Sequence, residues 1–157
     1  MITNMKKTLF IAAAALLSAT LLFCTSCGDD EDNKINVGNE NRPAWTTRDN
    51  LYQEMELTMA VQVTLPEALL PHASDDDLMC ATIDGEVRAV SGLQRTANEV
   101  YFPLVVAGNS GSGMVSINYY SSQLKRIFTF QNWMPFTPSI QPTDSDGKPY
   151  VVDFTTN

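Results

Sequence analysis

A single all-β domain, a β-sandwich (immunoglobulin-like or related) of about seven strands, is what this sequence predicts. Three observations predict it. Apolar and polar residues alternate strictly over residues 55–65, Asp84-Gly85 stands between two strand-like runs, and no long 3.6-residue periodicity follows residue 44.

Met55, Leu57, Met59, Val61, Val63 and Leu65 share one face of an extended chain, whereas a helix would scatter them around its circumference. Residues 55–65 are therefore expected as one long strand with one buried face, ended by Pro66. Residues 67–77 form a connection with a helical turn near Ala68-Leu69-Leu70, and residues 78–83 form the next strand. Asp84 and Gly85 both tolerate the positive φ that a two-residue hairpin turn demands, so residues 86–90 return alongside. Residues 100–107 are strongly apolar, and Pro103 among them marks an edge or a bulge. Gly108-Asn109-Ser110-Gly111-Ser112-Gly113 is a loop. Residues 114–120 and 126–131 make a further hairpin across Ser121-Ser122, and residues 150–154 are the last strand.

Ahead of this domain lies an address. Lys6 and Lys7 precede an apolar run over residues 9–23 that is short of the roughly 20 residues a membrane span needs. A charged start, a short apolar core and small residues at its end make a signal peptide. The end of the run resembles the lipobox of bacterial lipoproteins, in which small residues precede a lipid-modified cysteine. Cys24 and Cys27 compete for that role. Bulky Phe23 precedes Cys24, while small Thr25 and Ser26 precede Cys27, which is the better fit, although Cys24 then stands where leucine is usual. The expected organisation is a signal peptide over 1–26, a lipidated acidic tether over 27–43 and a β-sandwich over 44–157. Asp29-Asp30-Glu31-Asp32 will not bury and makes the tether a solvated one. The acid run also resembles the surface-export signal of Bacteroidetes-type lipoproteins, which implies an outer-membrane location facing the exterior. A plain spacer, with the protein facing the periplasm, is the alternative.

Removing residues 1–26 from 157 leaves 131, and the loss of Lys6 and Lys7 takes the net charge from −8 to −10. Lys125-Arg126 is the only adjacent basic pair of that remainder, so nucleic acid is not an expected partner; the membrane is one, through the lipid. With Cys24 removed and Cys27 acylated, Cys80 has no cysteine to pair with in the folded domain, and it sits among Leu78, Met79 and Ala81 as a small buried hydrophobe.

The stretch Asp75-Asp76-Asp77-Leu78-Met79-Cys80-Ala81-Thr82-Ile83-Asp84-Gly85-Glu86-Val87-Arg88-Ala89-Val90 is followed by Val100-Tyr101-Phe102-Pro103-Leu104-Val105-Val106-Ala107-Gly108 and Val115-Ser116-Ile117-Asn118-Tyr119-Tyr120. Together, across roughly residues 55 to 131, they resemble a small β module of Bacteroidetes cell-surface and secreted proteins. Its pattern is an acidic pair, "LAAFVGDECRGVA", an aromatic strand, a glycine loop and a strand ending in an aromatic. Val87 departs from it by replacing a frequent cysteine. The resemblance implies an extracellular accessory or adhesion-type module without established chemistry.

The candidate chemistry is sparse. Any Ser-His-Asp, Cys-His or histidine–metal site would have to use His72, the one histidine, which lies in a loop beside Pro71 and reads as solvated. Asp144-Ser145-Asp146-Gly147 begins like a calcium loop but lacks the remaining ligands, and Asp75-Asp76-Asp77 reads as a solvated loop or a turn cap. No metal, no cofactor and no catalytic residue is expected, and the protein is not read as an enzyme. The candidate ligand-binding residues are Trp45, Tyr120, Asn132 and Trp133. Flat aromatics beside amides stack on sugar rings, and the two tryptophans fall outside the expected core strands; packing at the end of the sandwich is the other reading of Trp133. Two roles follow as expectations. One is a surface-anchored, non-catalytic binding or accessory module for a glycan or a protein. The other is a structural component of an envelope or fimbria-like assembly, joined by strand addition at residues 55–65.

Overall fold

The structure is a computed structural model and describes residues 35–154. The expected signal peptide, Cys24, Cys27, the acid run and residues 155–157 lie outside the described residues.

After a single helical turn, α1 (Leu51–Glu54), come eight strands: β1 (Leu57–Thr64), β2 (Leu78–Ile83), β3 (Glu86–Gly92), β4 (Gln94–Arg95), β5 (Val100–Gly108), β6 (Met114–Ser121), β7 (Arg126–Pro135) and β8 (Tyr150–Val151). They form two four-stranded sheets, β4-β5-β1-β8 and β3-β2-β6-β7, packed face to face as the expected all-β sandwich. The alternation in β1 does what its period requires. Met59, Val61, Val63 and, just beyond the strand, Leu65 are buried, and the residues between them are half-exposed. Opposite them lie Met79, Ala81 and Ile83 of β2 and Val115, Ile117 and Tyr119 of β6. Each fully buried aliphatic or aromatic side chain contributes about 1.5–3 kcal/mol.

Asp84 (φ 51°) and Gly85 (φ 79°) form the two-residue turn between β2 and β3. The β6–β7 turn runs over 122–125, within the gap expected between the two strands, with Lys125 at φ 48°. Two expectations fail locally. Met55 ends α1 instead of opening β1, its amide bonded to the Leu51 carbonyl. Strand β7 does not stop at Gln131: after a bulge opposite Val115–Ile117 it re-pairs through Met134 and Pro135, which puts Trp133 inside a strand. The two-residue β4 was too short to carry a period.

The side of β5 beyond its short pairing with β4 is blocked locally. Pro103 stands opposite Gln62 with no N–H to offer the open side of β5, and the Tyr52 hydroxyl donates to the Val105 carbonyl on that same side at 2.9 Å. Strand β1, expected as an edge for strand addition, is interior. It pairs with β5 on one side. On the other, the Ala60 and Gln62 amides donate to the Ser139 and Pro142 carbonyls, and Val63 and Thr64 pair in parallel with β8.

Residues 35–43 also engage the sandwich, with Ile35 packed against its core. Gly38 N–H donates to the Leu124 carbonyl (2.7 Å) and Glu40 N–H to the Lys125 carbonyl (2.9 Å). The Glu40 carboxylate accepts from the Ile127 amide, and the Arg42 guanidinium donates to the Asp76 carbonyl. Arg48 then reaches Glu86 at 2.6 Å and pairs with Glu54. Residues 38–48 thus run from the β6–β7 turn at one end of the domain to the β2–β3 turn at the other.

Candidate functional site

The end of the β3-β2-β6-β7 sheet that carries the Asp84-Gly85 turn has a polar recess of about 420 Å³ on its outer side. The strand period builds it. With Val115, Ile117 and Tyr119 turned into the core, Ser116 and Asn118 of β6 are turned out. Thr82 lies opposite Ser116 on β2, and Gln131 and Asn132 approach from β7. Asn132 sits in the bulge at φ 53°, a conformation asparagine tolerates better than most residues. Its amide N–H donates to Ser116 Oγ at 3.0 Å, and that hydroxyl donates to Gln131 Oε1 at 3.3 Å. Thr129 Oγ1 donates to Asn118 Oδ1 at 2.8 Å, and Asn118 Nδ2 lies 3.7 Å from Cys80 Sγ. Two neighbouring hydroxyls thereby hold the Gln131 and Asn118 amides. The Asp84 carboxylate is exposed and leans toward Gly113, where a Cβ would lie 3.6 Å from Oδ1.

The residues expected to bind ligand do not gather. Asn132 is exposed in the recess. Trp133, next in the strand, turns toward the core and meets Tyr150 edge-on, centroids 6.1 Å apart, so it packs the side of the sandwich where β7 faces β8. Tyr120 is only 5% exposed, too little for a stacking platform. Trp45 is half-buried in the segment between Arg42 and Arg48. Sequence reasoning missed Asp84, Asn118 and Gln131. The outward polar positions of β6 were visible in the alternation, but the bulge that brings β7 to them was not.

The far end of the domain is built differently. Asp77 is fully buried and accepts from the Ser74 amide of its own turn, so of the two expectations the solvated loop holds for exposed Asp75 and Asp76 and the turn cap for Asp77. Its Oδ2 accepts from the Tyr119 hydroxyl (2.8 Å) and the Ser74 amide (2.9 Å), and its Oδ1 from the Ser122 amide and hydroxyl (both 2.8 Å). Four donors satisfy a charge that would otherwise be costly to bury. Burial raises the Tyr119 phenol pKa well above the ordinary range, with Ser121 opposing and Asp77 adding to the rise. Burial likewise raises the Cys80 thiol to about 11, against a smaller opposing effect of Asn118.

His72 is half-exposed in a 3₁₀ turn, Leu70–His72, and makes no side-chain hydrogen bond to the described residues. Asp144 Oδ1 accepts from the Asp146 and Lys148 amides, so that carboxylate caps its own turn. Among the described residues, no three His, Cys, Asp or Glu side chains gather as a metal site, and no helix is long and apolar enough to cross a membrane. No protein-family model, curated protein or solved structure matches this chain.

Proposed function

We propose that this protein is a lipid-anchored module of the outer-membrane surface that binds a ligand and does not transform it. The observation that carries this reading is the division of the domain into two ends. The chain arrives along Gly38–Arg42 at the end that holds the buried Asp77, and the open polar recess lies at the other. From Cys27 to Gly38 the chain reaches about 40 Å at most. A lipidated Cys27 is therefore joined to the domain at its Asp77 end, and the recess lies roughly 25 Å, one strand length, from that point of attachment. That is the arrangement a displayed binding module needs. Permanence is supplied by the acyl chains, at about 0.8 kcal/mol per buried CH₂. Assembly by strand addition at β1 finds no edge, since both sides of that strand are paired.

The test is metabolic labelling with an alkyne fatty acid, followed by protease treatment of intact cells. The full chain should carry label and be cut from the surface, and Cys27→Ala should carry none and leave the membrane fraction. Label retained in Cys27→Ala, or protection until the outer membrane is broken, overturns the anchor or the orientation respectively.

A further inference from the structure

We propose that the recess between the β2–β3 turn and the β7 bulge is the binding site for an uncharged, hydroxyl-rich ligand, the exposed end of a neutral glycan. This rests on the reading of the protein as a binding module and adds the place and the ligand class.

The chemistry of the lining selects the class. Asp84, Asn118, Gln131, Asn132, Thr82 and Ser116 supply a carboxylate, three amides and two hydroxyls, and no lysine, arginine or histidine lines the recess. A phosphate, sulfate or carboxylate would meet Asp84 with no compensating cation. An apolar ligand would strip water from the amides without replacing their hydrogen bonds, and only Met114, 38% exposed, offers it a broad apolar contact. A sugar hydroxyl donates and accepts at once. It can donate to Asp84 and do both with an amide, which is the complement of this inventory.

The groups are also available and held. The Asp84 carboxylate, the Asn132 side-chain amide and the Thr82 hydroxyl make no hydrogen bond to the described residues. Gln131 has its Oε1 tied to Ser116, which leaves Nε2 to donate outward. Asn118 has its Oδ1 tied to Thr129 and only a long contact from Nδ2 to sulfur. Fixing these amides in advance lowers the ordering cost of binding. The bulge brings the β7 residues to the recess. It sets Gln131, Asn132 and Trp133 of β7 against the single Ser116 of β6, two residues more than regular pairing, and places Asn132 in the left-handed region, so that Asn132 lines the recess while Trp133 meets Tyr150. A volume of about 420 Å³ falls within the range of small-molecule sites.

A second cavity of about 610 Å³, lined in part by Thr64, Arg95, Glu99 and Lys148, lies at the opposite, anchored end. Its arginine is already committed to Asp75 Oδ1 and the Ala73 carbonyl, both at 2.9 Å, so it is less free to serve a ligand.

The experiment is an array of neutral, sialylated and sulfated glycans probed with the full chain purified in detergent, beside Asn132→Gly and Asp84→Asn. Both substitutions tolerate the native positive φ, and thermal melting confirms that each variant folds. The expected result is binding to neutral glycans, weakened at least about tenfold by each substitution with the melting midpoint unchanged. Neutral-glycan binding that survives both substitutions overturns the site and leaves the binding-module reading intact. Binding confined to sialylated or sulfated glycans overturns the ligand class. No glycan bound, but a specific protein retained from envelope extract, overturns the glycan assignment alone, whereas retention of nothing removes the binding-module reading with it.

Discussion

The two ends of this sandwich treat their polar groups in opposite ways. At the end where Gly38 and Arg42 bring the chain in, the Asp77 carboxylate is wholly buried and has four donors, with Phe102, Phe128 and Phe154 around its partner Tyr119. At the other end, the Asp84 carboxylate stands in solvent, and a bulge brings Gln131 and Asn132 up beside it. A satisfied, buried polar group specifies and stabilises a fold. An unsatisfied, exposed one is free to recognise something else. The difference separates the parts that keep the domain folded from those open to a ligand.

Substitutions should divide along that line. The largest effect is expected at Asp77. Asp77→Ala strands the buried Tyr119 hydroxyl, leaves the half-buried Ser122 amide without its acceptor and should cost about 3 kcal/mol in urea denaturation, with a slope unchanged from wild type. Trp133→Ala removes the edge contact to Tyr150 and part of the core wall and should cost about 2 kcal/mol while glycan binding persists. Loss of binding in a folded Trp133→Ala domain would restore the tryptophan to the ligand site.

Alkaline pH acts on the same buried groups. Cys80 and Tyr119 both have folded pKa values above their unfolded ones, so above pH about 9 the unfolded chain releases protons that the folded one keeps. Their contribution is complete below pH 9 and falls as pH rises, that of Cys80 through about 11 and that of Tyr119 beyond. Denaturation midpoints should therefore drop from pH 9 to 11, and the Cys80 thiol should resist a disulfide reagent at pH 8. A flat profile would mean that these groups are not buried in solution. The smallest stability effect is expected in the recess, where Asn132→Gly and Asp84→Asn should stay within about 0.5 kcal/mol of the parent.

Much of the fold could be read from local patterns. The period-two run at Met59, Val61 and Val63 and the positive-φ pair Asp84-Gly85 impose one strand and one turn whatever surrounds them. What escaped was set by partners distant in the chain. The interior position of β1 depends on Ser139, Pro142 and β8, which no local signal ties to it. The burial of Asp77 depends on Ser122 and Tyr119, so the acid run read as a solvated loop or a turn cap with no sign that its last carboxylate is interior. Engagement of Gly38 and Glu40 with the β6–β7 turn was hidden by the polar composition that made residues 27–43 read as a tether. The candidate site was half legible. Asn132 was singled out and lies in the recess, but its pairing with Trp133 fails because the bulge that puts Gln131 and Asn132 in the recess leaves Trp133 against Tyr150.

The most direct test of this separation measures thermal midpoint and neutral-glycan affinity side by side for Asn132→Gly and Trp133→Ala. The account predicts lost binding with an unchanged midpoint for the first, and a lowered midpoint with retained binding for the second. Full binding by Asn132→Gly, or binding and stability falling together in both, would contradict it.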